Sequence, residues 1–172
     1  ETAEEIFQIY MRFYDNLPRF LKFRANKKNV REIKFFHGGR IKVTTAGSGA
    51  HRGTTWNAIH GTEISEWTDL HGTIAALLQT AADDAYVVLE GTAKGLNAVH
   101  DLWEDAGNGY HKFFFSWLDE PTYVRAEPPD VGPPTFTAEE QEYIQTYRIP
   151  PERANWFAQT LRTKCANSLN TW

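Results

Sequence analysis

The stretch WNAIHGTEISEW, residues 56–67, decides the fold. Its first six residues are short and partly apolar, which predicts a buried strand over 56–61. Two carboxylates, Glu63 and Glu66, follow that strand. Ligands of open α/β sheets bind at the carboxyl ends of the strands, so this turn is a candidate catalytic site in which Glu63 could polarise an attacking water. The alternative interpretation is a solvated acidic turn with only a structural role.

A second apolar run, YVVL at 86–89, predicts another strand, which breaks at the turn EGTAKG, residues 90–95. The Thr92 hydroxyl and the glycines of this turn would let side chain and backbone approach a phosphate or a water. An ordinary strand-to-helix turn is the alternative. Because adjacent parallel strands end at the same edge of a sheet, we expect the turns at Glu63 and Thr92 to open into one crevice.

Residues 1–44 predict an amphipathic helix and a hairpin. Thr2 and Glu5 form a capping-box pattern, and Pro18 stops the helix that follows. The apolar face of this helix consists of Ile6, Ile9, Tyr10, Phe13 and Leu17. Two short β-rich runs, 33–36 and 41–44, flank a pair of glycines and predict the hairpin.

Further helices alternate with the two apolar strands. Thr73 is predicted to cap a helix, and another helix is predicted to end at Gly107. The aromatic run 110–117 predicts one more strand, in which Phe113 to Phe115 would pack in the core rather than stack on bases. Strands alternating with helices favour an α/β fold with a mostly parallel sheet.

The segment PPDVGPP, residues 128–134, predicts a linker. We therefore expect a core over 1–127 and a helical segment over 135–172. That helical segment begins at a second capping-box pattern, Thr137 with Glu140, and its last helix opens on a proline at its first position.

Composition and charge exclude several classes of protein. Hydrophobic residues make up 41% of the 172, too many for a disordered chain, and no apolar run approaches the roughly 20 residues that span a bilayer. The polar, acidic start is not a signal peptide, and a single cysteine forms no intrachain disulfide. The net charge of −4 argues against a protein that coats DNA, so any nucleic-acid contact is expected to be local.

A metal-dependent hydrolase is a weaker alternative. Its ligands would come from a group of five side chains, His60, Glu63, Glu66, Asp69 and His71. Their spacing matches none of the compact zinc patterns, and no metal ligand is predicted from them.

The ordered set of motifs resembles the ATPase region of viral DNA-packaging terminase large subunits. The turn 60–63 (HGTE), followed by Trp67, resembles the family's acidic Walker B turn, and an arginine–glycine pair at 52–53 precedes it. The turn 92–95 (TAKG) resembles the family's coupling motif. Further matches follow in the family's order, namely Asn97, Trp103, Trp117, Pro121, Tyr123 and the helix capped by Thr137.

This resemblance implies a P-loop NTPase sheet of the ASCE type, mostly parallel and flanked by helices, that lacks its first strand and helix. It implies ATP hydrolysis with Mg²⁺, coupled to pumping duplex DNA into a procapsid. Glu63 would orient or deprotonate the attacking water, Thr92 would couple hydrolysis to movement, and Arg52 would be an arginine finger that reaches a neighbour's nucleotide in a ring of identical subunits. The neighbourhood of the nucleotide and metal would be Thr62, Ala93 and Gly95.

The chain departs from the family in three ways. It contains no Gly-x-x-x-x-Gly-Lys-Ser/Thr loop, Thr62 stands where many members have the Walker B aspartate, and the nuclease's metal-binding acids are missing. We therefore expect a fragment that is inactive alone and binds no nucleotide. For the intact protein, the resemblance implies a portal protein and a small terminase subunit as partners, in the cytoplasm of an infected, bacterial host cell.

The main alternative is a non-catalytic module that binds DNA or a protein partner. It would use the basic stretch RFLKFRANKKNVR, residues 19–31, with Lys27, Lys28 and Arg31 as the contacts. The acidic turns would then be structural, and DNA affinity would fall steeply with salt.

Overall fold

The computed structural model describes residues 3–47, 53–125 and 134–166. The chain divides into two compact units, Glu1–Tyr110 and His111–Trp172. The predicted linker lies almost entirely outside the described residues. The stretch just after residue 110 belongs to the second unit, where Trp117 packs against the C-terminal helices.

The first unit begins with helix α1, Ala3–Asn16, and an antiparallel sheet of three strands. The strands are β1, Ala25–Lys28; β2, Glu32–Phe35; and β3, Arg40–Lys42. The predicted hairpin is confirmed as β2 and β3, which turn through Gly38 at a φ of 92° that favours glycine. Strand β1 was not predicted, because its residues lie within the basic stretch and carry little apolar pattern. Thr2 of the predicted capping box lies outside the described residues.

Helix α1 is confirmed, but its predicted apolar face is largely exposed. The helix buries Ala3 and Phe7, whereas the side chain of Phe13 is 70% exposed. The contact with the sheet is aromatic, since the rings of Tyr14 and Phe35 lie 5.7 Å apart. The exposed part of the helix therefore borders an open apolar groove in front of the sheet.

The second part of this unit is a parallel pair of strands covered on one face by helices. Strand β4 is Trp56–Gly61 and strand β5 is Ala81–Leu89, and they are parallel neighbours as predicted. Helices α2, Leu70–Leu78, and α3, Ala98–Glu104, pack on them. The α/β class is therefore confirmed, although the parallel sheet has only two strands in the described part of the chain.

The core of this pair forms around the turn that follows β4. Ile64, Leu70 and Ile74 are buried, and Leu89 and Val99 pack against them. The opposite face of the sheet is open, since the side chain of Tyr86 is 77% exposed. Because side chains alternate along a strand, the apolar positions of β5 are divided between a covered and an uncovered face.

Three local predictions are wrong. Helix α2 is capped by Asp69, whose carboxylate accepts a bond from the Gly72 N–H at 2.9 Å, and Thr73 lies buried within the helix. Helix α3 ends at Glu104, before Gly107. The run 110–117 forms no strand, because no neighbouring strand in the described residues offers it a ladder. As a result, its three consecutive phenylalanines are exposed rather than in the core, namely Phe113, Phe114 and Phe115.

The second unit packs aromatic rings between two helices. Helix α4 is Ala138–Thr146 and helix α5 is Pro151–Lys164. The predicted caps are confirmed: Thr137 and Glu140 form a capping box, and Pro151 begins α5. The core contains Phe157 and Leu161, with the Trp117 ring stacked at 5.9 Å from that of Phe157. No helix in the described ranges has the length and apolar character to cross a bilayer.

Candidate active site

The ladder between β4 and β5 brings the two predicted turns to the same edge of the sheet. Gly61 pairs with Leu89 at the carboxyl ends of the strands. Beyond that pair, the Glu90 N–H donates to the Gly61 carbonyl at 2.9 Å, and the Ile64 N–H donates to the Glu90 carbonyl at 3.0 Å. Hydrogen bonds therefore connect the segment around Glu63 directly to the segment that leads to Thr92.

Glu63 has a strained backbone. Its φ and ψ are 52° and 43°, in the left-handed region, and it immediately precedes a 3-10 helix, Ile64–Glu66. A residue with a Cβ costs about 1–2 kcal/mol in this conformation relative to the right-handed one. Such strain occurs often at functional sites, where the surrounding structure holds a side chain in a required direction. The Glu63 side chain is exposed at the sheet edge.

Gly91 allows the two turns to approach closely. A Cβ placed on Gly91 would lie 3.2 Å from the backbone nitrogens of Ile64 and Ser65. That spacing is tighter than ordinary van der Waals contact, and the atoms it meets are backbone atoms that have little freedom to move. Glycine at this position therefore lets the turn after β5 rest on the start of the 3-10 helix.

An ion pair and a histidine–carboxylate contact connect the two segments. The Lys94 ammonium pairs with the Glu66 carboxylate, and the His60 imidazole lies 3.4 Å from the Glu90 carboxylate. All four side chains are about half exposed, so each pair contributes little to stability. These contacts were not predicted from the sequence, because their partners are distant along the chain. Among the described residues, Glu63 takes part in no ion pair, which separates it from Glu66.

The other predicted residues of the nucleotide neighbourhood lie in the same region, with one exception. Thr62 is half-buried directly before Glu63, and Thr92, Ala93 and Gly95 lie in the exposed turn after β5. Gly95 has a φ of 64°, which ends the turn. Arg52, the predicted arginine finger, lies outside the described residues.

Asn97 fixes the direction in which the chain leaves this turn. Its side-chain oxygen accepts hydrogen bonds from the N–H groups of Val99, at 3.0 Å, and His100, at 3.2 Å. This N-cap begins α3 directly after the Thr92 turn. The cap therefore fixes the point at which α3 begins after the turn.

Two of the three predicted DNA contacts are engaged within the unit. Lys28 pairs with Asp15 at 3.3 Å and lies over the Tyr14 ring, and Arg31 pairs with Glu4 at 3.0 Å. These bonds join the sheet to α1 and give both cations a structural role. Lys27 is exposed on β1 and faces away from α1, since it pairs with Lys34 across the ladder.

The five side chains of the metal hypothesis do not converge. Asp69 caps α2, His60 pairs with Glu90, and Glu66 pairs with Lys94. In the described ranges, no group of three or more His, Cys, Asp or Glu side chains could hold a metal ion.

Comparison with known protein families and with curated proteins finds no match to this chain. The chemistry of the site is therefore judged from its own donors. The edge offers a carboxylate at Glu63, hydroxyls at Thr62 and Thr92, and a glycine-rich turn. A carboxylate can accept a hydrogen bond from a water, the hydroxyls can donate to phosphate oxygens, and oxygen ligands of both kinds suit Mg²⁺. Lys94 is engaged by Glu66, so it does not supply the cation that a phosphate loop normally provides.

Proposed function

We propose that this chain forms the water-activating and coupling side of an ATPase that packages duplex DNA into a viral procapsid. The observation that carries the proposal is the edge of the β4–β5 sheet, where a strained glutamate and a Thr-Ala-Lys-Gly turn follow adjacent parallel strands. The order of the remaining motifs along the chain, which resembles that of terminase large subunits, supports the same assignment.

In this proposal Glu63 is the catalytic residue. Its carboxylate would orient a water and accept its proton, a role that requires hydrogen-bond reach to the water. The left-handed backbone would fix the direction in which the carboxylate leaves the sheet edge. Bound Mg²⁺-ATP would supply the terminal phosphoryl group that this water attacks.

Thr92 would be the coupling residue. Its hydroxyl lies on the turn between β5 and α3, and Asn97 ties the start of α3 to that turn. A contact made by Thr92 would thus shift a helix, which gives hydrolysis a mechanical output. We further propose a ring of identical subunits, with the portal protein and the small terminase subunit as partners in an infected bacterial cytoplasm. Within the ring, Arg52 would stabilise the transition-state charge of a neighbour.

The expected ATP hydrolysis differs between the 172-residue chain and the product of its whole reading frame. The chain by itself should not hydrolyse ATP, because positioning of the phosphates needs the N–H cradle and lysine of a Walker A loop, which this sequence does not contain. The whole product should hydrolyse ATP with Mg²⁺, and Thr92→Ala should reduce DNA packaging more than ATP hydrolysis. Mg²⁺-dependent turnover by the purified 172-residue chain would contradict the proposal.

A further inference from the structure

The sheet β1–β2–β3 has one face turned toward α1 and one turned away from it. Ile33 is buried and Phe35 contacts Tyr14, so these positions of β2 face the helix. Side chains alternate along a strand, which puts Glu32, Lys34 and Phe36 on the opposite side. We call that side the outer face.

The outer face is strongly basic. Residues 1–42 contain ten of the chain's 18 lysines and arginines but five of its 22 acidic residues. Cross-strand pairing aligns Lys34 with both Lys27 and Arg40, and Glu32 with Lys42. Together with the residue before β1, the outer face carries five cations, Arg24, Lys27, Lys34, Arg40 and Lys42.

Among the described residues, one carboxylate of β2 lies among these cations. Glu32 lies 3.6 Å from Lys34 and 3.9 Å from Arg40, and its side chain is only 15% exposed. This partly covered carboxylate is shared by two cations, and Arg24 and Lys27 form no ion pair with any described residue, which leaves an excess of positive charge at their end of the face. Such an excess attracts a polyanion, even though the whole chain carries a net charge of −4.

Aromatic rings lie among these cations. The Arg24 guanidinium lies 4.7 Å from the centre of the Phe36 ring, and Phe36 remains 59% exposed. The Arg40 guanidinium lies 5.9 Å from the centre of the Trp56 ring. An exposed ring beside a cation is how sheets hold unpaired nucleotides, since the ring stacks on a base and the cation neutralises the phosphate.

We propose that the outer face binds single-stranded nucleic acid, with Phe36 as the stacking platform and Arg24 and Lys27 as the phosphate contacts. Stacking on Phe36 requires an unpaired base, which favours a single strand over a duplex. The inference uses no residue of the proposed ATPase site, and it stands whether or not the chain hydrolyses ATP.

The test is a fluorescence-anisotropy titration of the 172-residue chain with a labelled oligothymidylate. The oligonucleotide should have about 12 nucleotides, within the ~4–16 that a single-strand-binding module covers. Phe36→Ala should weaken binding roughly 5- to 100-fold, the range for loss of one stacked base. Phe36→Tyr keeps the ring and should keep the binding. Phe115→Ala, which removes an even more exposed ring from the other unit, should change nothing.

The phosphate contacts are tested by the salt dependence of the same binding. Lys27→Gln should lower the slope of log affinity against log salt by about 0.7, the value for one phosphate of a single strand. Lys164→Gln, at an exposed lysine of α5, is the matched control and should leave the slope unchanged. Circular dichroism of every variant checks that the fold is retained.

Four results would overturn the inference. The first is the absence of oligothymidylate binding, and the second is equal affinity of the Phe36→Ala and Phe115→Ala variants for the oligonucleotide. The third is tighter binding of a duplex of the same length. The fourth is displacement of the labelled oligothymidylate by polyglutamate as readily as by unlabelled oligothymidylate. The third would assign the face to duplex DNA, and the fourth would make it a general site for acidic polymers.

Discussion

Lys94 and Glu66 form an ion pair that joins the turn after β5 to the 3-10 helix after β4. The pair gives the two candidate carboxylates of the sheet edge different surroundings. Glu66 is bound to a cation, whereas Glu63 takes part in no ion pair of the described residues and has a left-handed backbone. In the ATPase proposal the base must reach a water, and Glu63 is exposed at the sheet edge while Glu66 is held by Lys94, so the geometry favours Glu63 over Glu66 as the proposed base.

The Lys94–Glu66 pair should contribute little to folding. Both side chains are about half exposed, and exposed pairs contribute about 0–1 kcal/mol. In a double-mutant cycle of Lys94→Gln and Glu66→Gln, followed by urea denaturation, we expect a coupling free energy within that range that shrinks in high salt. A coupling above about 2 kcal/mol would show that the pair is a structural element of the fold.

The strain at Glu63 predicts an unusual order of stabilities. Glu63→Gly should be more stable than Glu63→Ala by about 1 kcal/mol, because alanine keeps the cost of a left-handed Cβ that glycine avoids. The measurement is the free energy of unfolding of both variants in urea.

Glu66 provides the matched control for this strain. Glu66 lies in the same turn, and its backbone is not in the left-handed region. There the usual order should hold, with Glu66→Gly less stable than Glu66→Ala by roughly 0.5–1 kcal/mol. If the glycine variant is less stable than the alanine variant at both positions, the Glu63 backbone is not strained in solution.

The capping box of α4 should contribute measurably to the stability of the second unit. The Thr137 hydroxyl accepts a bond from the Glu140 N–H at 3.2 Å, and the Glu140 carboxylate accepts one from the Thr137 N–H at 2.7 Å. Thr137→Ala should cost about 1 kcal/mol, measured by thermal or urea unfolding. Thr135→Ala is the control, because Thr135 bonds to Arg162 through its carbonyl, which alanine retains. Equal loss in both variants would contradict a capping role.

The contribution of Glu120 to the stability of the fold should be lost at acid pH. Hydrogen bonds from the Thr122 hydroxyl and N–H, with a smaller effect of Arg153, lower the pKa of this carboxyl below its ordinary value. A lowered pKa in the folded state contributes stability above the pKa of the unfolded state, and this contribution is lost as the pH falls through the folded pKa.

The cause of this shift is tested by removing the hydroxyl. Thr122→Val should raise the pKa of Glu120 toward its ordinary value, as measured by an NMR titration of the carboxyl carbon. Thr163→Val removes a hydroxyl whose bond goes to Gln159 and should leave the Glu120 titration unchanged. A Glu120 pKa that is the same in both variants would show that the Thr122 hydroxyl has no part in the shift.

Elements with a local signal could be predicted from sequence. Strand β4 has its predicted bounds, because its apolar run is closed by Gly61 and an acidic turn. The caps of α4 and α5 depend on neighbouring residues alone, and they too were predicted. The Asp69 cap of α2 was missed because Thr73 is a second residue of a type that caps helices within the same stretch.

Features that depend on distant partners could not be predicted. The aromatic run 110–117 has strong strand propensity, but a strand also needs a neighbour, and none is present for it in the described residues. Strand β1 was not predicted, because it lies within the basic stretch 19–31 and has little apolar pattern. Its ladder to β2 identifies it as a strand. The sequence predicted that Glu63 and Thr92 share an edge of the sheet, because each follows a strand. It did not predict the Lys94–Glu66 pair across that edge, because the pair depends on partners that are distant along the chain.

The most direct test of the ATPase proposal is the hydrolysis and binding of ATP by the whole reading-frame product, compared among wild type, Glu63→Gln and Glu66→Gln. Glutamine keeps the shape of the Glu63 side chain and removes its charge, so the substitution should lower the rate of ATP turnover and leave the affinity for ATP unchanged. We predict that Glu63→Gln abolishes Mg²⁺-dependent turnover while the affinity for ATP stays close to that of wild type, and that Glu66→Gln retains most of the activity. A rate indifferent to Glu63→Gln would contradict the assignment of Glu63, and a loss confined to Glu66→Gln would move the catalytic role to Glu66.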